Sequence, residues 1–396
     1  MTNIAILGFG VVGGGVADLI TENYKEVTKL GGDEINIKYI LDLRDFPDSP
    51  FANKVVHDYN IIVNDPEVSV IIEVMGGSHP AYEFTIAALN AKKSVITSNK
   101  EVVANFGDEF LALAKKNGVS YRFEAAVGGG IPVISPMIHC IGQNKICEVR
   151  GILNGTTNYI LTKMFTFGDS FESALKDAQE RGYAERNPDA DILGTDAARK
   201  IVILSALATG RLVDVNKVHT EGITKIRKAD VTAAEKKGYS IKLLGRCING
   251  GDEPFVMVAP FMLSSESALS GVTGVYNAVE VVGEPLGNVM FYGKGAGAGA
   301  TASAVVGDLM QTMTLGGQGE PSFEKSDALK CFDLFTAKRY LAFDASITDK
   351  VLAVFGGCEK LDSDECAIIT EALSEKELEA KLAALGAEPL SSIRLL

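Results

Sequence analysis

The chain opens with Asn3-Ile4-Ala5-Ile6-Leu7-Gly8-Phe9-Gly10-Val11-Val12-Gly13, a short apolar run followed by three glycines in the spacing G-x-G-x-x-G. Such glycines permit a tight turn, close approach of the backbone to a pyrophosphate, and close packing of a helix on a strand. The helix that follows presents free N–H groups and the positive end of its dipole. The segment therefore predicts a strand, a dinucleotide-binding turn and a helix. The alternative interpretation is a sharp turn without a ligand.

Apolar runs at residues 35–41, 68–73, 94–97 and 121–126 predict further strands, and helical patterns lie between them at about 80–91 and 107–117. Strands that alternate with helices in this way are typical of a parallel sheet with helices on both faces. The sequence therefore predicts the α/β class, with a Rossmann-type doubly wound sheet in the first 130 residues.

The pattern changes after residue 130. Helices are predicted at 152–165, 170–180 and 195–209, and β-branched alternation at 241–261 and 271–293 predicts an α+β region with an antiparallel sheet. We expect three domains: a dinucleotide-binding domain at 1–130 with a return segment at about 295–320, a catalytic and dimerisation domain at 131–294, and a C-terminal domain at 338–396.

Composition excludes several classes of protein. With 38 Lys and Arg against 51 Asp and Glu, the net charge of −13 argues against a nucleic-acid partner, which would need a basic face. No apolar run approaches the roughly 18 residues that a membrane span needs. The six cysteines form no C-x-x-C pair, and the first residues lack the basic region of a signal peptide. We therefore expect a cytoplasmic protein.

Two charged residues after the second predicted strand bear on the choice of cofactor. Asp42 could hydrogen-bond a ribose 2′-OH, which favours NAD, and Arg44 could pair with a 2′-phosphate, which favours NADP. Both could also be solvated surface charges; we favour NADP. Gly76 and Gly77 follow the strand at 68–73, where ligands of doubly wound sheets bind, although an ordinary turn would also use them.

Polar residues that could carry the chemistry fall in two places. Lys100 follows the strand at 94–97, on the predicted ligand-binding edge of the sheet. Asp196 and Lys200 are four residues apart at the start of an apolar helix, so they share a face that we expect to be buried rather than a surface ion pair. Burial would shift their pKa values in ways useful for proton transfer. Glu185 and Asp191 precede them and could hold an ammonium group.

The chain resembles the homoserine dehydrogenase family, whose signature spans residues 178–200 here. The matching positions are Ala178, Gly182, Tyr183, Ala184, Asn187, Pro188, Asp191, Ile192, Gly194, Asp196 and Lys200. Four further segments resemble family motifs in the expected order: the opening glycine turn, Glu73–Gly77, Thr97–Lys100 and Gly151–Ile160. So does the late glycine run 293–300.

The resemblance implies NAD(P)-dependent interconversion of L-homoserine and L-aspartate 4-semialdehyde, a step towards threonine and methionine. It implies that Lys200 is the general acid/base, that Lys100 lies near nicotinamide and substrate, and that Glu185, Asp191 and Asp196 hold the substrate ammonium or orient the lysines. The expected cofactor-binding residues are Gly8, Phe9, Gly10, Val12, Gly13, Arg44, Gly76 and Lys100. The partner is then a small-molecule substrate, and we expect a homodimer or homotetramer.

The family also binds a sodium ion, and Glu124, Val127, Gly129 and Ile131 match its ligands; a plain glycine turn is the alternative. Residues 338–396 resemble a shortened ACT regulatory domain. Because 356–365 is too short for the usual paired strands, a structural or dimerising tail is an equal possibility.

Two alternative functions are another NAD(P)-dependent dehydrogenase with a different amino-alcohol or amino-acid substrate, and a sensing regulator without turnover, which would lack Lys100 or Lys200.

Overall fold

The computed structural model describes all 396 residues, Met1–Leu396. The strands are β1 Thr2–Leu7, β2 Ile35–Leu41, β3 Val55–Val56, β4 Val68–Glu73, β5 Ser94–Thr97, β6 Tyr121–Arg122, β7 Lys145–Ile152, β8 Arg211–Val213, β9 His219–Thr220, β10 Tyr239–Ile248, β11 Phe255–Ser264, β12 Tyr276–Glu284, β13 Gly287–Lys294, β14 Glu324–Ser326, β15 Thr336–Ala337, β16 Arg339–Phe343, β17 Glu359–Lys360, β18 Cys366–Ile369, β19 Leu373–Ser374 and β20 Ser391–Leu395.

The helices are α1 Val11–Glu22, α2 Tyr24–Gly31, α3 Tyr59–Val63, α4 Ala81–Asn90, α5 Lys100–Asn117, α6 Ile134–His139, α7 Gly155–Phe167, α8 Phe171–Glu180, α9 Asp189–Ile192, α10 Thr195–Thr209, α11 Lys228–Lys236, α12 Ala298–Leu315, α13 Thr348–Val354 and α14 Glu375–Leu385. None of them is both long and apolar enough to span a membrane.

The chain forms two compact units. Unit 1 contains Met1–Cys147, Val202–Asn216 and Val281–Asp327, and unit 2 contains Glu148–Ile201, Lys217–Glu280 and Ala328–Leu396. These ranges differ from the three sequence domains, whose bounds stay a prediction.

Unit 1 is built on a six-stranded sheet in the order β3-β2-β1-β4-β5-β6, in which every pair is parallel. This is the Rossmann order, so the predicted doubly wound sheet is confirmed. Its core joins β1, β2 and β4 to α1, α2 and α12, for example through Ile4, Val16 and Leu309. The carboxyl ends of β1, β2, β4 and β5 form one edge, where ligands bind in such sheets.

Unit 2 contains a mixed sheet with the order β12-β7-β10-β11-β20-β16-β18-β17. Most of its pairs are antiparallel, as expected, but β11 runs parallel to β20 and to β9. The parallel pair of β11 with β20 arises because the last strand of the chain returns to pair with β11.

The C-terminal segment of unit 2 runs β16-α13-β17-β18-β19-α14-β20. Its strands pair antiparallel in the order β20-β16-β18-β17 around a separate core that includes Leu341, Phe343 and Ile368. Residues 356–365 contain one two-residue strand, β17, which pairs with β18 outside that segment. Whether this segment is an ACT domain stays a prediction.

Candidate active site

The beginning of α10 carries a buried ion pair. The Lys200 ammonium donates to the Asp196 carboxylate at 2.7 Å and to the backbone carbonyl of Leu153 at 2.8 Å. Lys200 is 9% exposed and Asp196 is 5% exposed, so water screens this pair poorly. The structure thus brings together the two residues that the helical spacing placed on one face.

Asp191 joins this cluster through Asn154. The Asn154 amide nitrogen donates to Asp191 at 2.6 Å and to Asp196 at 2.9 Å. Burial raises the pKa of the Asp191 carboxyl, and the hydrogen bond from Asn154 acts in the opposite direction. Asp191, Asp196, Lys200 and Asn154 therefore form one hydrogen-bonded group, which we call the lysine–carboxylate cluster.

Local sequence explains why these side chains meet. Gly194 has φ of 87° between α9 and α10, and a side chain there would meet Thr220 and Val258. This left-handed position favours glycine and allows the sharp turn that separates Asp191 from Asp196. The backbone N–H of Ile223 donates to Ile192, which holds α9 in place.

Glu185 is separate from the lysine–carboxylate cluster. Its side chain is exposed, and no hydrogen bond joins its carboxylate to Asp191, Asp196 or Lys200. Its backbone carbonyl accepts a hydrogen bond from Gln179. The structure therefore does not bring together all the acidic residues that the sequence grouped.

The ligand-binding edge of unit 1 begins at the turn between β1 and α1. Gly8 has φ of 94°, and a Cβ at Gly13 would lie 2.0 Å from the Gly8 carbonyl oxygen. No atom would approach a Cβ at Gly10 within 4 Å, and Gly10 is the N-cap of α1. The local backbone geometry thus explains why glycine occupies positions 8 and 13. Gly10 instead faces open space beside the first N–H groups of the helix.

Asp42 follows the end of β2 on the same edge. Its carboxylate accepts from the backbone N–H of Phe9 at 2.8 Å and from the Arg44 guanidinium at 2.9 and 3.0 Å. The Arg44 hydrogen bonds hold the pKa of Asp42 well below its usual range. A cleft of about 430 Å³ lies beside it, lined by residues that include Leu41, Met75 and Phe84. Asp42 is therefore a fixed anion and Arg44 an exposed cation at the mouth of an apolar cleft.

A buried carboxyl group supports the loops after β4 and β5. Glu73 accepts from the Thr97 hydroxyl at 2.6 Å and from the Met75 backbone at 2.8 Å. Burial raises its pKa to about 7. Asn99 donates to the Gly77 carbonyl and caps α5, which begins at Lys100. The helix predicted from residue 107 therefore starts seven residues earlier.

Comparison with known proteins identifies the family. The model of the homoserine dehydrogenase domain matches residues 132–310, and that of the homoserine dehydrogenase NAD-binding domain matches residues 8–124. Homoserine dehydrogenase of Bacillus subtilis is 40% identical over 337 residues, which cover 82% of this chain and 77% of that protein. The chain belongs to the homoserine dehydrogenase family.

Solved structures of homoserine dehydrogenases agree. The crystal structure from Thiobacillus denitrificans has a TM-score of 0.90 and 32% identity, covering 100% of this chain and 98% of that chain. A hyperthermophilic archaeal homoserine dehydrogenase mutant in complex with NADPH has a TM-score of 0.67 and 29% identity, covering 79% of this chain and 98% of that one. As a member of this family, the chain is an NAD(P)-dependent oxidoreductase that acts on a CH–OH group.

The turn at which the sequence predicts a sodium site follows β6. The Glu124 carboxylate accepts three backbone hydrogen bonds, from Val133, Ile134 and Ser135, at 2.6–2.8 Å. No backbone N–H donates to the carbonyls of Val127, Gly129 or Ile131. No group of three or more His, Cys, Asp or Glu side chains is arranged to hold a metal. The turn thus offers carbonyl oxygens and one carboxylate that is largely engaged, a donor set for a hard monovalent cation rather than a transition metal.

Sequence reasoning missed two residues of these sites. Asn154 was noted only as part of a motif, although an Asn before a helix indicates an N-cap. Glu73 was noted only as the end of a strand. Neither the bridging role of Asn154 nor the burial of Glu73 has a local signal, because both depend on partners more than 20 residues away.

Proposed function

We propose that Lys200 is the general acid/base with which this homoserine dehydrogenase interconverts L-homoserine and L-aspartate 4-semialdehyde, a step towards threonine and methionine. The observation that carries the assignment of Lys200 is its buried position between the Asp196 carboxylate and the Leu153 carbonyl. These two contacts use two of its three N–H bonds, which leaves one to reach a substrate oxygen.

When bound, the nicotinamide cofactor accepts the hydride from homoserine or delivers one to the aldehyde. In the oxidation direction, the neutral Lys200 amine accepts the proton of the substrate hydroxyl. In the reduction direction, the Lys200 ammonium stabilises the developing alkoxide and protonates it.

Asp191 is proposed to bind the substrate ammonium. The two carboxylates and the one ammonium of the lysine–carboxylate cluster sum to one negative charge, and Asp196 is already paired with Lys200. Asp191 has no cationic partner of its own and is therefore suited to a cationic group of the substrate. We also propose that Glu185 helps to hold the substrate ammonium, and that Lys100 lies near both nicotinamide and substrate.

For the cofactor, we propose a pyrophosphate at the turn of Gly8, Phe9, Gly10, Val12 and Gly13, with Gly76 on the same edge. The preference for NADP rests on Arg44, whose side chain is 63% exposed and available to a 2′-phosphate. Asp42 donates no hydrogen bond and would repel that phosphate unless Arg44 lay between them. A sodium ion at Glu124, Val127, Gly129 and Ile131 is proposed from their oxygen donors.

We further propose a cytoplasmic homodimer or homotetramer, organised as the three domains predicted from the sequence. The six cysteines form no disulfide bond, which suits a reducing compartment. Met290 and Tyr292 lie on one face of β13 and are 39% and 52% exposed, which suits a surface that another copy covers. The C-terminal segment at 338–396 would then serve as a structural or dimerising element.

The test is a direct assay. Purified protein is mixed with L-homoserine and either NADP⁺ or NAD⁺ in alkaline buffer, and nicotinamide reduction is followed by absorbance. We expect turnover with L-homoserine and none with L-serine, which lacks one methylene. If neither cofactor were reduced, the proposal would be refuted. Equal rates with other amino alcohols would favour a dehydrogenase of different specificity.

A further inference from the structure

The junction between β7 and α7 contacts both the ammonium and the two carboxylates of the lysine–carboxylate cluster. Leu153 offers its backbone carbonyl to the Lys200 ammonium, and the next residue, Asn154, offers its amide N–H groups to the carboxylates of Asp191 and Asp196. Two consecutive residues therefore hold groups that come from α9 and α10.

The orientation of the Asn154 carboxamide is determined by the helix that follows it. Its Oδ1 accepts a hydrogen bond from the Thr157 backbone N–H at 2.9 Å and so caps α7. Because one end of the amide must be the acceptor, the other end is the NH₂ group. Each of its two N–H bonds then meets a different carboxylate. The cap and the bridge are therefore parts of one arrangement in a residue that is 5% exposed.

The neutral charge of the amide matters. A cation at this position would compete with Lys200 for Asp196, and a carboxylate would repel both aspartates. A neutral donor holds the two like charges at fixed positions and leaves the net negative charge of the cluster unchanged. Asp196 then remains the partner of Lys200, while Asp191 keeps its charge for a cationic ligand.

We infer that Asn154 is a positioning residue for the reaction, which holds Asp191 and Asp196 and, through Asp196, fixes the Lys200 ammonium. This inference rests on the proposed function of Lys200. It assigns to Asn154 a role beyond the cap of α7.

Two variants separate the bridge from the cap. Asn154→Asp and Asn154→Ser both keep an oxygen that can cap α7, since Asp and Ser are favoured N-cap residues. Asn154→Asp adds a negative charge within hydrogen-bonding distance of both aspartates and removes both donors. Asn154→Ser replaces the two amide N–H donors with one hydroxyl and adds no charge. The serine side chain is too short to reach both carboxylates.

We expect both variants to lower kcat/KM for homoserine on the order of 10²-fold, the loss typical of misplaced catalytic groups. Asn154→Asp should also move the rise of kcat/KM with pH to higher pH, because the added carboxylate favours the protonated lysine. Asn154→Ser should leave the position of that rise nearly unchanged. Ser170→Ala is the control, since it removes the cap of α8, where the Ser170 hydroxyl accepts from the Ser173 N–H. It should lower the melting temperature and leave kcat and the pH profile unchanged.

A purely structural Asn154 would give the pattern of Ser170→Ala in both variants, and that result would overturn the inference. A readout that does not need turnover is the carboxyl ¹³C titration of Asp191, assigned with Asp191→Asn. Loss of the Asn154 donors should raise the pKa of Asp191 in Asn154→Ser. An unchanged Asp191 titration would overturn the inference even in an active enzyme. Failure of the wild type to oxidise homoserine would instead refute the proposed function.

Discussion

The ligand-binding edge of unit 1 and the lysine–carboxylate cluster of unit 2 both hold buried or half-buried carboxylates, but they hold them differently. Asp42 and Glu73 each accept a hydrogen bond from a backbone N–H group, that of Phe9 and that of Met75, besides those from the side chains of Arg44 and Thr97. Asp191 and Asp196 accept theirs from the side chains of Asn154 and Lys200. The edge therefore depends in part on the path of the backbone, whereas the cluster depends on side chains that mutation can remove singly.

This difference predicts where substitutions act. A change at the edge should alter stability or cofactor binding, because it alters the backbone path. A change in the cluster should alter the chemical step, because it removes a group that exchanges a proton or holds one that does.

The largest expected effect is that of Lys200→Met. Loss of a general acid/base typically lowers kcat by ~10²–10⁴-fold, while the dissociation constant of the cofactor, measured by fluorescence titration, should change little. Lys242→Met is the matched control, because Lys242 is also buried in unit 2 but donates to Asn158 and Val272 and not to a member of the cluster. Its kcat should remain near that of the wild type. Equal losses of kcat in both variants would assign Lys200 a structural role.

Glu73→Gln tests the buried carboxyl of the edge. The native pKa of Glu73 is about 7 against an ordinary 4.5, because burial disfavours the charged form. Folding therefore favours the protonated form of Glu73. The contribution of Glu73 to the free energy of unfolding is fully present below pH 4.5 and is lost as the pH rises through about 7. The variant, which is always neutral, should be more stable than the wild type at pH 8 by roughly 3 kcal/mol and equally stable at pH 4.

Urea unfolding at both pH values measures this difference. Asp42→Asn is the contrasting control, because the Arg44 hydrogen bonds lower the pKa of Asp42 and its charged form stabilises the fold. That variant should be less stable than the wild type at pH 8. If the difference in stability between Glu73→Gln and the wild type were no larger at pH 8 than at pH 4, the raised pKa of Glu73 would be refuted.

Much of the edge could be predicted from the sequence because its signals are local. Gly8 and Gly13 lie within one turn of chain, and a glycine is required wherever a Cβ would collide with the backbone. Helix α14 is bounded by similar local signals, since Ser374 caps it and Gly386 ends it with φ of 68°. Such signals depend on few neighbours, so one sequence contains them.

The cluster could be predicted only in part. The spacing of Asp196 and Lys200 within one helix indicated their contact, but Asn154 is 37 residues from Asp191 and 42 from Asp196. The helix predicted from residue 152 begins at Gly155, because β7 continues to Ile152 and Asn154 provides the cap. The strand predicted at 121–126 ends at Arg122, since the chain turns at Glu124. An apolar run alone does not show where a strand gives way to a helix.

A smaller effect is expected from the motif glycines. A Cβ at Gly13 would lie 2.0 Å from the Gly8 oxygen, so Gly13→Ala should lower the free energy of unfolding by about 1–3 kcal/mol. Gly10→Ala meets no atom and should change stability by less than about 0.5 kcal/mol. Both should weaken cofactor binding in a fluorescence titration, Gly10→Ala because the backbone must approach the pyrophosphate. Undiminished affinity in Gly10→Ala would place the pyrophosphate elsewhere.

The smallest expected effect concerns the charge pair at the mouth of the edge. Arg44→Ala removes a cation that could reach a 2′-phosphate and should raise KM for NADP⁺ by roughly tenfold, the value of about one charge-assisted hydrogen bond. KM for NAD⁺ should change less, because Asp42 remains held by the Phe9 N–H and can accept from a ribose 2′-OH. High salt should reduce the difference between wild type and variant, since the Arg44 side chain is 63% exposed and screened by ions. If Arg44→Ala weakened the binding of both cofactors equally, Arg44 would act by positioning Asp42 rather than by contacting the 2′-phosphate. The choice of cofactor would then depend on Asp42, which the Phe9 backbone N–H holds in place.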